Sequence, residues 1–442
     1  MEAGETRRSS GRSGAVAITV NLLFINQFFW PDTAATGQLL TDVARAMAPG
    51  SGLVTVLCGR PDYGTVDDSP APPAVIFQCG SSRFSRGKVR RVISYASFVG
   101  GAAWKAMWSP RADVVVTLTT PPLLSLLGTA LKMLRRSRHY VWEMDVYPDI
   151  ATDLGVFRKG GPADRIVGLL ADWSRRRADG IIALGEDMKE RLVARGIPGE
   201  RIHVCENWAD GDQIQPKRMP AGPLKIHYSG NFGLAHDLDT ICGAIQALRG
   251  NDRFRFSFAG GGPRLRKLDV LALDPANHVA VLPYCSRSEL GASLGAAHLG
   301  LVTQLPGTAG SVVPSKTYGI MAAGRPLLYI GPQNATPARI IDRFRCGWQV
   351  DPGNVRGLVS LLDRLASQPE ELEAVGGRAR AAFEEHYNRP AGVARIQEVL
   401  GVSAHGSAAN KVTTGSGCED ADDSLRAAGV HAESEIAGNT AR

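Results

Sequence analysis

The chain has 442 residues, 44% hydrophobic and 21% charged, with a formal net charge of +7. That length holds two or three domains with sizeable cores, and the composition is that of an ordinary folded protein. No run approaches the roughly 18 apolar residues of a membrane-spanning helix, and the seven cysteines are scattered, with no C-x-x-C pair, which argues against a disulfide framework or a zinc site.

Residues 1–16 are rich in Gly, Ser and Arg and read as a disordered leader. The apolar run 18–25 reads as a first strand rather than a signal peptide. It contains Thr19 and Asn21 and leads into Asn26-Gln27 without a small-residue cleavage site. Leu39, Leu40, Val43, Ala44 and Met47 recur at helical spacing before Pro49-Gly50. Strands are then predicted at 53–58, 74–79, 113–118, 140–144, 180–184 and 202–205. Helices are predicted at 92–108, 123–134, 163–175 and 186–195. This alternation predicts a parallel sheet covered on both faces.

Residues 209–223 carry three prolines and read as an inter-domain hinge. The alternation then restarts, with strands at 224–229, 254–259, 279–282, 299–302 and 327–330. Helices are predicted at 238–248, 287–294, 337–344, 355–365, 369–385 and 391–400. The predicted division is a leader 1–16, a first α/β domain 17–212, a second 213–401 with a closing helix, and a disordered tail 402–442.

Three glycine- or lysine-bearing segments of the second half stand at strand ends. They are Tyr228-Ser229-Gly230-Asn231-Phe232-Gly233, Gly260-Gly261-Gly262-Pro263, and Pro314-Ser315-Lys316 opening a short helix. Glycine lets a backbone approach a ligand, and a helix start with a lysine seats a phosphate. Each alone also fits an ordinary βα turn, and Lys316 alone fits a solvated lysine. Together they point to a nucleotide diphosphate at the carboxyl edge of the sheet. Neither G-x-x-x-x-G-K-[ST] nor G-x-G-x-x-G is present, which disfavours a P-loop enzyme and a nicotinamide oxidoreductase.

Further segments extend the pattern: Phe28-Phe29-Trp30-Pro31 through Thr36-Gly37, Tyr147-Pro148-Asp149, Glu206-Asn207-Trp208-Ala209-Asp210, and Val313-Pro314-Ser315-Lys316-Thr317-Tyr318-Gly319. In order over about residues 18–400, these segments resemble glycosyltransferase family 4, the retaining GT-B enzymes. The likeness is clearest to the bacterial polysaccharide subgroup of N-acetyl-fucosamine transferases. The resemblance implies two Rossmann-like domains facing a cleft and a nucleotide-sugar donor, with uridine the working expectation for its base. It implies that Gly230 and Asn231 line the diphosphate, with Gly261 near the nucleotide; Tyr284, after the next strand, either borders the base or serves the core. Lys316 would neutralise the leaving diphosphate, with Ser315 and Thr317 supplying hydrogen bonds, so neither cofactor nor metal is expected. Thr36 and Gly37 would face the acceptor or the donor phosphate, and residues 308–313 would set the donor sugar.

The departures from the family are as specific as the matches. Its paired glutamates fall at Ser311 and Gly319, and its loop Arg and Lys fall near Asn231 and His236; His236 can still hydrogen-bond phosphate or be structural. Met144 replaces the histidine of a His-Asp pair whose acid is Asp145. That acid either orients the acceptor hydroxyl or caps a turn. A sugar-nucleotide epimerase and a non-catalytic nucleotide-sugar-binding partner are the alternative readings.

Between residues 83 and 138 stand eleven Lys and Arg against one acid, Asp113, interleaved with Val92, Ile93, Tyr95, Phe98, Trp104, Met107 and Trp108. The segment reads either as a solvated charged face or as a helix lying on an anionic leaflet. The second reading predicts a cytoplasmic protein held peripherally at the inner membrane face, next to a polyprenyl-linked or growing glycan acceptor. Nucleic acid is not expected as a partner, since no stacking platform accompanies the charge.

Overall fold

A computed structural model describes residues 19–49, 51–61, 69–80 and 88–402. The predicted leader, the tail beyond Val402, Arg83 and Arg86 lie outside the described residues.

The first half contains strands β1 (Leu22–Ile25), β2 (Val54–Cys58), β3 (Val75–Gln78), β4 (Val114–Thr117), β5 (Arg138–Trp142), β6 (Gly180–Ala183) and β7 (Ile202–Val204). Its helices are α1 (Ala35–Met47), α2 (Lys88–Trp108), α3 (Ser125–Arg135), α4 (Asp149–Asp153), α5 (Pro162–Arg177) and α6 (Glu186–Ala194). The strands pair in the order β3-β2-β1-β4-β5-β6-β7, all parallel. Central strands β1 and β4 are buried along their whole length, as expected of parallel strands covered on both faces.

The second half repeats the plan with β8 (Leu224–Ser229), β9 (Phe254–Ala259), β10 (Val279–Leu282), β11 (Leu299–Thr303), β12 (Leu327–Ile330) and β13 (Gly347–Val350). Its helices are α7 (Asp239–Ala247), α8 (Arg266–Ala272), α9 (Arg287–Gly295), α10 (Lys316–Ala322), α11 (Thr336–Phe344), α12 (Val355–Ala366), α13 (Pro369–Ala382) and α14 (Arg389–Leu400). The sheet order is β10-β9-β8-β11-β12-β13, again parallel throughout. In both sheets the strand order reverses beside the first strand, between β1 and β4 and between β8 and β11. Ligands of open α/β sheets bind at such points, outside the carboxyl ends of the strands.

The structure adds elements that the pattern did not reveal: α4, α8 and the edge strand β13. It also shifts β5 two residues toward the N-terminus, so that the strand ends at Trp142. The amides of Met144 and Asp145 leave the ladder and donate to Thr119 Oγ1, both at 3.2 Å. Helix α14 lies on the first lobe, because Val393, Ile396 and Leu400 are buried in that lobe's core. Phe98, one of the apolar residues interleaved with the basic ones in the leaflet reading of α2, is instead fully buried.

The carboxyl ends of the two sheets meet. Asp145, just past β5, forms an antiparallel bridge with Val312, in the loop after β11, and Val146 N donates to Ser311 O at 2.9 Å.

Candidate active site

The site is built first by backbone. Gly230 ends β8 with φ +135°, and Gly260 ends β9 with φ +138°. A Cβ on Gly260 would lie 2.0 Å from Gly230 O, so only glycine lets these two loops touch. Gly230 N donates to Ala259 O at 2.9 Å and Phe232 N to Gly261 O at 2.8 Å. The pair forms a double loop of touching backbone at the switch point, with the Lys316 and Tyr284 side chains lying against Gly230 and Gly261.

Lys316, the first residue of α10, reaches this double loop from the far side of the reversal. Its Nζ lies 5.1 Å from the Tyr228 ring centroid, within cation–π range. The residue is half-buried, and no carboxylate among the described residues pairs with it. Enclosure pushes its pKa down to about 8, since burial disfavours the charged form. An ammonium in that state favours an anionic ligand. Ser315 is half-buried beside it and its hydroxyl has no partner among the described residues. Thr317 is buried, and its hydroxyl donates to Pro314 O at 3.1 Å.

His236 is brought to the same place but is already engaged. Nδ1 lies 2.9 Å from Thr303 O, and Nε2 lies 3.4 Å from the Tyr228 hydroxyl. Burial, then the nearby Lys316 charge, lowers its pKa to about 3. The ring is therefore neutral, with its proton on Nδ1 facing a carbonyl. Tyr228 OH donates to Asn231 O at 2.8 Å, closing the loop. Tyr284, half exposed, donates to Gly261 O at 3.3 Å and forms a rim next to Asn231.

The first lobe contributes three groups. Thr36 and Gly37 open α1 at the carboxyl end of β1, on that sheet's switch point. Asp145 stands at the lobe junction, with no side-chain partner among the described residues. Burial, then the neighbouring Glu143, raises its pKa to about 6. The other acids near that strand end are committed. Glu143 is bidentate to Arg175, at 2.7 and 3.1 Å, and Asp149 is held by Arg191 and Arg195 at 2.7 and 2.6 Å. Asp145 is thus set apart from its neighbours by lacking a cation.

At the two positions where family members carry glutamates, the hydroxyl of buried Ser311 donates to Thr308 O at 3.1 Å. A Cβ on Gly319 would meet only Leu294 and Ile214 side chains, at 3.6 and 3.8 Å. Thr119, Asp187 and Arg191 also shape the site and were not found from sequence. Their partners are distant in the chain, and no local signal marks them.

A second surface feature lies on the first lobe. Trp104 and Trp108 of α2 are 68% and 75% exposed, Met133 and Leu134 of α3 are 64% and 70%, and Ile166 and Leu169 of α5 are 58% and 68%. Helix α3 touches both others: Arg135 Nη1 donates to Ala106 O at 2.5 Å, and Thr129 and Ser174 hydroxyls are 2.8 Å apart. Arg90, Arg111 and Arg136 are exposed and make no ion pair among the described residues. No helix among those residues is long and apolar enough to cross a membrane.

Two parallel Rossmann-like lobes whose carboxyl edges meet around a lysine and a glycine double loop define the GT-B glycosyltransferase class. The family model described as a glycosyl transferase 4-like domain matches residues 36–208, which supports a glycosyltransferase of family 4. It is 28% identical to a probable glycosyltransferase, WbjE of Pseudomonas aeruginosa, over 63% of this chain and 72% of that one. Solved structures share the fold. HepE of Anabaena, in complex with UDP-glucose, has a TM-score of 0.63 at 12% identity, covering 86% of this chain and 99% of its own. WaaG, a glycosyltransferase involved in lipopolysaccharide biosynthesis, has a TM-score of 0.64 at 15% identity, covering 86% and 100%.

Proposed function

We propose that this protein transfers a sugar, with retention at the anomeric carbon, from a nucleotide-diphosphate sugar to a lipid-linked or growing glycan in bacterial exopolysaccharide, capsule or O-antigen assembly. The observation that carries the reading is Lys316. It is an enclosed ammonium that no carboxylate among the described residues pairs with, beside the backbone of Gly230 at the sheet's switch point. A diphosphate satisfies both. The UDP-glucose complex of HepE supports a uridine-linked donor, and the lipopolysaccharide role of WaaG supports a glycan acceptor.

In this reading the bond from the anomeric carbon to the diphosphate oxygen breaks as the acceptor oxygen bonds on the same face. The acceptor's proton passes to the departing phosphate. Lys316 and the loop amides stabilise the charge that grows there, in a partly dehydrated site where fixed dipoles act strongly. Fixed positive charge does this work without a metal. Asp145, ionised at neutral pH, accepts the acceptor's hydroxyl and aims it. The exposed apolar residues of α2, α3 and α5, with Arg90, Arg111 and Arg136, suit an anionic membrane surface that carries the lipid-linked acceptor.

The test is Lys316→Ala. Removing a principal charge stabiliser costs about 10²–10³ in turnover, with the fold intact by circular dichroism. Unchanged transfer rates would remove the phosphate assignment. A thermal-shift screen of UDP, GDP and dTDP identifies the base, since a ligand that binds only the native state raises its melting point.

A further inference from the structure

The loop between β11 and α10, which precedes Lys316, belongs to the second lobe, yet its backbone is held by the first. Arg191 Nη1 donates to Ala309 O at 2.8 Å. Gly310 N donates to Asp187 Oδ2 at 3.2 Å. Ser311 O accepts from Val146 N at 2.9 Å. Three successive residues therefore each find a partner across the lobe junction.

Helix α6 supplies the two side chains. Asp187 is 5% exposed. Its carboxylate also accepts from Thr336 N at 3.0 Å and Thr336 Oγ1 at 2.5 Å, at the start of α11. One turn later, Arg191 spreads its guanidinium over Asp149 and Asp153, both at 2.7 Å, and the Ala309 carbonyl. The fit is close on both sides. Gly310 has φ +73°, and a Cβ there would lie 2.4 Å from Asp187 O. By contrast, the Gly230 double loop and Lys316 are both within the second lobe.

We propose that Asp187 and Arg191 are positioning residues that set loop 307–312, so that recognition of the donor sugar depends on the lobe junction while the diphosphate grip does not. The inference rests on the donor reading above, in which that loop borders the sugar. It follows that the two lobes must be docked through α6 before the sugar pocket has its working shape.

Arg191→Lys keeps a positive charge but loses the planar fork that spans two carboxylates and a carbonyl. Asp187→Asn keeps shape but replaces one acceptor oxygen by a donor. Calorimetry is run on wild type and both variants with UDP, GDP and dTDP, and with their glucose and N-acetylglucosamine conjugates. The expected result is a nucleoside diphosphate affinity within threefold of wild type and an affinity for the sugar conjugate at least tenfold weaker. Hydrogen exchange at residues 309–312 should quicken in both variants. Equal losses for diphosphate and conjugate, or no loss for either, would overturn the clasp and leave the donor site standing. A wild type that binds none of these probes would overturn the donor reading and this inference with it.

Discussion

Lys316 occupies the space that a side chain at Gly230 would need. A Cβ on Gly230 would sit 2.5 Å from Lys316 Cε and 3.3 Å from its Nζ, and the Gly230 φ of +135° is itself unfavourable for any other residue. Gly230→Ala is expected to push the lysine aside and to strain the loop. The cost is about 1–3 kcal/mol of stability, read from urea midpoints, with nucleoside diphosphate affinity reduced at least tenfold. Unchanged affinity would separate the lysine from the glycine loop.

The Lys316 pKa of about 8, against 10.5 for a free lysine, sets a pH signature. The unfolded chain keeps the proton up to about pH 10.5 and the folded chain only to about 8. Stability should therefore rise between these values, and the charged form burdens the empty protein at pH 7. Lys316→Met should raise ligand-free stability at pH 7 by about 1–3 kcal/mol and abolish diphosphate binding. In wild type that binding should weaken above pH 8. Melting curves and calorimetry at pH 7 and 9.5 check both.

Asp145 behaves in the opposite range. Its pKa of about 6, raised from 3.8 by burial, means that the folded protein takes up a proton as pH falls through 6. The kcat/KM for transfer should decline on that acid side with a midpoint near 6. Asp145→Asn should lower the rate and flatten the limb. Because the carboxylate is disfavoured in the fold, the same variant should be more stable at pH 7, by about 1–3 kcal/mol. A wild-type acid limb that survives in the variant would assign it to another group.

Glu143 and Arg175 are 1% and 3% exposed and bonded at 2.7 Å. Glu143→Gln leaves a buried guanidinium with only Asp172, 3.2 Å away. The expected loss is about 3–5 kcal/mol in urea denaturation, much more than for exposed pairs such as Arg345 and Asp342.

On the first-lobe surface, Arg90, Arg111 and Arg136 are each worth about 1 kcal/mol near an anionic leaflet. The triple alanine variant should bind anionic vesicles about two orders of magnitude more weakly. Trp104→Ser with Trp108→Ser should weaken binding to anionic and neutral vesicles alike. Salt should weaken only the arginine contribution. Flotation without any difference between these proteins would send the glycan acceptor to them from solution.

The repeated strand–helix alternation was legible because parallel strands are short apolar runs between turn residues, as with Leu299–Thr303 and Leu327–Ile330. Strand β13 was not, because Gly347–Val350 carries one valine beside Trp and Gln and lies at a sheet edge, where burial demands less. The exposed face of α5 was also hidden. Leu169 and Trp173 look like core residues in one dimension, and only packing shows that Gly168, Ala171 and Ser174 face inward instead.

Sequence by itself determined the two α/β halves and marked the glycine loops at the strand ends, because strand burial and glycine's backbone freedom act within a few neighbouring residues. The tertiary structure decided which acids remain free. Glu143, Asp145 and Asp149 differ only in whether an arginine from α5 or α6 reaches them. It also decided that α14 returns to the first lobe and that Asp187 meets Thr336, 149 positions away. Those pairings depend on where two sheets dock, a property that no local stretch of chain encodes.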